Sequence, residues 1–231
     1  MRIREGGTPQ GRPVVLVHGL ASSSRCWERT VPSLQADHRL LLVDLFEAAT
    51  GGFGLEAAAA ELSLELASRR VRGADLVGHS MGGLIALHVA ASWPAMVSSL
   101  VLVDVPALRP IRRGRVAQIG AVARSSISVQ ASAVSLVVGS LMRTNPLSVL
   151  AAIRATMAAD LAPQAAAAAA AAIPTLLVWG ADDHIVPVEV GERLERQMPA
   201  ATLVIIPGAG HQPMWERPDA FNTALRAFLT R

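Results

Sequence analysis

A serine between glycines stands where one apolar run gives way to another: Gly78-His79-Ser80-Met81-Gly82, inside the stretch DLVGHSMGGLIAL. The pattern G-x-S-x-G puts a serine on a sharp, strained strand-to-helix turn, with glycines where a side chain would collide with the neighbouring strand or helix. Such a turn holds the hydroxyl clear of a sheet, at the amino end of a helix. A serine hydroxyl is a weak nucleophile at neutral pH. Acyl chemistry therefore needs a base within hydrogen-bond reach, and a further group to orient that base. His211, on the glycine-loosened loop PGAGHQPMWERP, is the candidate base, and Asp183, in WGADDHIVP, is the candidate orienting carboxylate. Asp182 is the adjacent alternative. Asp104, which ends another apolar run, is a more remote one, better suited to contacting backbone amides. The chain order Ser, Asp, His is the one expected when a nucleophile elbow sits on an α/β sheet.

Acyl transfer also develops an oxyanion, which two preorganised backbone N–H donors can stabilise by about 3 kcal/mol. His18-Gly19-Leu20 closes an early apolar run, so the amides of Leu20 and Met81 are the candidate donors, with Gly19 letting the backbone approach. His38, His79, His88 and His184 read as packing or solvent-facing residues. No H-E-x-x-H spacing, G-x-G-x-x-G or Walker loop is present, so neither a metal nor a nucleotide cofactor is expected.

These residues need a frame. The runs PVVLVHG, RLLLVDLF, ADLVGHS, SLVLVDVP, PTLLVWGADD and ATLVIIPGAGH are uninterrupted rather than alternating, the pattern of strands buried on both faces of a parallel sheet. Helices are expected between them over 56–70, 81–92, 188–197 and 219–230. In such a sheet ligands sit beyond the carboxyl ends of the strands. His18, Asp44, Ser80, Asp104, Asp182–Asp183 and His211 all follow strand ends, so they converge on one rim. Only the segment 106–172 lacks a good strand. It is alanine-, serine- and valine-rich, broken at Pro110, Gly114, Gly139, Pro146 and Pro163, and it closes with eight alanines read as a connector helix. The expected organisation is an α/β core of residues 1–105 and 173–231 with a helical cap, 106–172, inserted in it.

The 231 residues, 52% of them hydrophobic, suffice for the core of one domain. No run approaches a membrane span, and the start MRIREGGTPQGRP lacks the apolar centre of a secretory signal. A soluble, cytoplasmic protein is expected. The single cysteine, Cys26, excludes an internal disulfide framework and reads as a buried, inert thiol. The net charge of +3 rests on 21 arginines without a lysine and does not indicate nucleic-acid binding. Charge is uneven all the same, since seven arginines meet one acid within 106–172.

Taken together, VVLVHGLASSSRCW, VGHSMGG, PTLLVWGADDHIVP and IIPGAGHQPMWERPDAFN resemble, in order, the oxyanion segment, nucleophile elbow, acid loop and histidine loop of the α/β-hydrolase superfamily. The likeness is to its small, cap-bearing esterase/lactonase branch, of the 3-oxoadipate enol-lactonase type. It implies a mostly parallel sheet flanked by helices, a cofactor-independent serine hydrolase, and a small acyl ester as substrate. In that family the acid lies three residues after the glycine that ends its strand, which from Gly180 is Asp183. Two features depart from the pattern. LFEAATGGFG follows Asp44 in place of a D-x-P-G-x-G-x-S-like turn, and the start is short, although MRIREGG can still supply a first strand. A serine at the elbow argues against the aspartate-using dehalogenase and epoxide hydrolase branches.

Esters, lactones, thioesters, peracid formation and C–C bond hydrolysis remain open on the same triad, as does a ligand sensor without turnover. Segment 116–142 is apolar and lacks aromatics, which suits a wall over an acyl or alicyclic group. Arg109, Arg112, Arg113 and Arg115 read first as a solvated face and alternatively as receptors for a carboxylate or phosphate. The sequence does not specify an oligomeric state.

Overall fold

The apolar runs become the strands of one seven-stranded sheet, ordered β1-β3-β2-β4-β5-β6-β7, in a computed structural model that describes residues 1–46, 53–108 and 145–230. β1 (Arg2–Gly7) pairs antiparallel with β3 (His38–Asp44), and every other pairing is parallel. A 3₁₀ turn (Ser24–Trp27) and α1 (Val31–Leu34) link β2 (Arg12–Val17) to β3. Then come α2 (Leu55–Ser68), β4 (Ala74–His79), α3 (Met81–Ser92), and β5 (Val97–Val103). α4 (Pro146–Ala158), α5 (Ala162–Ala170), β6 (Thr175–Gly180), α6 (Val188–Gln197), β7 (Ala201–Ile206), α7 (Pro213–Glu216) and α8 (Pro218–Leu229) complete the chain.

Both faces of the central strands are covered, which is why they carry no polar alternation. Val15, Val17, Leu76, Leu100, Leu102 and Leu177 join one apolar layer with Leu62, Leu84, Ala165 and Leu194 from the helices. Their strand neighbours Val14, Leu16, Val77, Val101 and Val178 join the other, with Leu34, Phe221 and Leu225. The edges differ. β1 is exposed at five of its six positions, and Ile205 of β7 is 42% exposed. Burial also pushes the Cys26 thiol pKa up, as an inert buried cysteine requires.

The short start supplies β1, the strand that MRIREGG was able to form. Pro146 opens a helix rather than breaking one. Proline at the first helical position forfeits an N–H that has no intrahelical partner, and the Asn145 side chain accepts from Leu147 N at 2.9 Å. Ala107 and Leu161 are tied by a backbone bond of 2.7 Å, after which α5 lays Ala165 and Ala168 against the buried layer that includes α3. Residues 109–144, with the arginine cluster at 109–115 and the apolar segment 116–142, lie outside the described residues, as do residues 47–52 of the departing loop. Among the described residues no helix is long and apolar enough to cross a membrane.

Candidate active site

Ser80 leaves β4 and caps α3 with φ 50° and ψ −119°, outside the regions an L-residue ordinarily occupies. Conformations of this kind cost about 1–3 kcal/mol and persist only where the surroundings over-determine them. Here Ser80 N donates to Val103 O of the neighbouring strand at 2.8 Å, while Ser80 O accepts from Gly83 N and Leu84 N. The glycines are sterically required. A Cβ on Gly82 would lie 2.4 Å from Val17 O and 2.5 Å from His18 O, and one on Gly78 would lie 2.5 Å from Gly82 O. Strand, elbow and helix thus touch backbone to backbone.

Two further loops reach this turn. His211 Nε2 lies 3.1 Å from Ser80 Oγ, and His211 Nδ1 lies 2.7 Å from Asp183 Oδ2. With Nδ1 donating to the carboxylate, Nε2 is free to accept the serine proton. Asp183 is held in turn, because its Oδ1 accepts from Ile185 N at 2.7 Å and Val186 N at 3.0 Å. Burial works to raise the Asp183 pKa, yet His211 and those two amides outweigh it and hold the carboxyl below its usual range. Asp182 is exposed and turns its backbone N–H to Ala209 O, so geometry separates the adjacent acids.

The segment after β2 is pinned by His18. Leu45 N donates to His18 Nε2 at 3.1 Å, which leaves the ring proton on Nδ1, 2.7 Å from Gly19 O. Burial lowers the His18 pKa and favours this neutral form. A trans peptide sets its C=O and N–H in opposite directions, so fixing Gly19 O also aims Leu20 N–H. Met81, first residue of α3, presents an N–H that helix geometry leaves without an intrahelical acceptor.

Two polar residues hold the histidine loop, His79, expected to pack or face solvent, and Glu216, not weighed in the sequence. His79 Nε2 donates to the backbone carbonyl of His211 at 2.7 Å, with the two rings 4.9 Å apart. Burial, with His211 adding to it, brings the His79 pKa down to about 3, so this ring is a neutral strut rather than a packing residue. Glu216 grips the loop from the other side, accepting from Gly210 N at 2.8 Å and Gln212 N at 3.0 Å. A glutamate a few residues past the histidine was the available signal.

The remaining rim carboxylates have other partners. Asp44 fastens the 3₁₀ turn, accepting from Ser24 N at 2.7 Å and Ser24 Oγ at 2.9 Å, beside Arg4. Asp104 is fully buried with φ 48°, and its Oδ1 accepts from Gly180 N at 3.0 Å. It contacts a rim amide, the role expected for it ahead of a place beside His211. Ligand atoms of His79, Asp104 and His211 lie within 4.8 Å of one another, but His79 Nε2 and both His211 nitrogens are already hydrogen-bonded. Two other atoms of the cluster, His79 Nδ1 and Asp104 Oδ2, are buried without a hydrogen-bond partner.

Three kinds of likeness place the chain among known proteins. It is 29% identical over 255 residues to a pimeloyl-[acyl-carrier protein] methyl ester esterase of Vibrio atlanticus, covering 96% of each chain. A thermophilic esterase of Thermogutta terrifontis, solved with malate bound, superposes with a TM-score of 0.83 at 24% identity, over 99% of this chain and 92% of that one. A bromoperoxidase of Bacillus anthracis gives 0.87 at 21% identity, over 99% and 95%. Likeness at such identities speaks for the fold. Residues 14–224 match the model of the alpha/beta hydrolase family, and the chain belongs to that family.

Proposed function

We propose that the protein is a cofactor-independent serine hydrolase of small or medium carboxylic esters or lactones, working through an acyl-enzyme. The observation that carries this reading is the unbroken hydrogen-bond relay from Asp183 through His211 to Ser80. Ser80 Oγ attacks the substrate carbonyl as His211 Nε2 takes its proton, and Asp183 steadies the imidazolium that forms. The oxyanion collects hydrogen bonds from Leu20 N–H and Met81 N–H. His211 then gives its proton to the leaving oxygen as the C–O bond breaks. Water, deprotonated by the same nitrogen, attacks the acyl group and releases Ser80 and the acid.

Support for an ester comes from the Vibrio atlanticus relative, which is named for a methyl ester. Selection among acyl groups is assigned to the insert 106–172, whose apolar segment 116–142 suits a modest pocket, and whose arginines at 109–115 suit an anionic end group. The test is turnover of an acyl-chain series of esters, lactones and thioesters by wild type and Ser80→Ala. A loss of ~10³-fold or more is expected on removing the nucleophile. Unchanged turnover in Ser80→Ala would sink the reading.

A further inference from the structure

Asp104 sits beside the acid of the triad without serving it in any ordinary way. Its Oδ1 is satisfied by Gly180 N–H, while its Oδ2 is buried and finds no donor. Asp104 interacts with the carboxyl of Asp183, itself an acceptor already committed to His211, Ile185 and Val186. Two buried carboxylates in contact cannot both ionise without a large penalty, whereas one proton turns their repulsion into a hydrogen bond. We propose that Asp104 and Asp183 share one acidic proton, held on Asp104, so that the carboxylate orienting His211 is half of an acid pair.

The surrounding groups agree. Among the described residues, the titratable groups around Asp104 include Asp183 after β6, His211 after β7 and His79 at the end of β4, and Glu216 on α7 acts on it through its charge. Glu216 adds negative charge, and His79 is kept neutral by burial, so neither offers a cation. Burial first, then the Asp183 charge, raises the Asp104 pKa well above the usual carboxylate range. Asp104 is thus a positioning residue that acts through Asp183. With the proton in place the pair carries one negative charge, matching the single positive charge that His211 gains while it holds the Ser80 proton. A doubly ionised pair would make His211 a stronger base and a poorer donor to the leaving group.

The kinetic consequence rests on the serine-hydrolase reading, but the proton itself does not. Infrared difference spectra of Ser80→Ala at pH 8, which needs no turnover, should contain a buried carboxylic-acid C=O band. That band should vanish in both Ser80→Ala/Asp104→Asn and Ser80→Ala/Asp183→Asn. In the active protein, Asp104→Asn preserves a donor to Asp183 and an acceptor for Gly180 N–H. It should retain several-fold more kcat than Asp104→Ala and lose an inflection on the alkaline side of the pH profile. Asp104→Ala removes both bonds and should lower kcat by about tenfold or more. No carboxylic-acid band at pH 8, or an Asp104→Asn variant as impaired as Asp104→Ala, would overturn the proposal. Failure of the hydrolase reading would show instead in Ser80→Ala retaining turnover, with the infrared result unaffected.

Discussion

Asp44 and the Asp104–Asp183 pair stand at the same rim of the same sheet and are used in opposite ways. Asp44 meets a guanidinium and two Ser24 donors, and Asp75, buried near the other end of β4, likewise meets Arg12 and Ser99. Arginine never gives up its proton in a protein, so these contacts cannot pass a proton along and serve to hold structure. Asp183 meets an imidazole, a group that can gain and lose a proton near neutral pH, and Asp104 meets another acid. On the proposed reading, what separates a structural from a chemical carboxylate is the partner's ability to trade a proton. Depth of burial does not, since Asp75 and Asp104 are equally buried.

Substitutions can break this contrast. Replacing the trading partner, His211→Ala, should lower kcat by ~10³-fold or more while the melting temperature changes little. Next comes Gly82→Ala. The new methyl would displace Val17 O and His18 O, and with them the oxyanion segment, so kcat should fall by about 10²-fold through a misplacement of an ångström or less. Glu216→Ala frees Gly210 N–H and Gln212 N–H and should cost about tenfold in kcat with KM unchanged, measured by steady-state kinetics. On the structural side, Asp44→Ala should lower stability by about 1–3 kcal/mol in urea titrations and reduce activity far less than Glu216→Ala does.

A pH experiment sharpens the comparison at smaller amplitude. His79 titrates near 6.5 when unfolded and near 3 when folded, so the unfolded state binds more protons between those values. Stability contributed by the neutral ring is complete above about pH 6.5 and is lost as pH falls toward 3. His79→Gln should flatten that part of the acid decline in melting temperature. Asp104 has the opposite sign. Its raised folded pKa means the folded state keeps a proton the unfolded state has released, so stability falls as pH rises above about 4. Asp104→Asn should remove that decline.

Much of this site is legible in the sequence because the chemistry needs particular residue types at strand ends. Ser80 is marked by its glycines, and Asp183 and His211 by chain order and by the runs before them. Asp182 differs from Asp183 only in direction, which the turn after Gly180 decides. His79 and Glu216 act on backbone atoms of a loop, so their only mark in the sequence is position, one inside the elbow and the other a few residues past His211. β1 was nearly hidden for a related reason. An exposed edge strand needs no apolar run, and only its pairing with β3 defines it. Pro146 shows the reverse case, a residue that ends helices in their interior and begins one here.

The most direct test of the central claim is to trap the acyl group. Wild type should be mixed with a slowly deacylating p-nitrophenyl ester, quenched in acid, and its peptides weighed. An added acyl mass on the peptide bearing Ser80, absent from Ser80→Ala and building up in step with the first burst of p-nitrophenol, is the expected result. Full turnover with no adduct, or with the acyl group on another residue, would contradict the account.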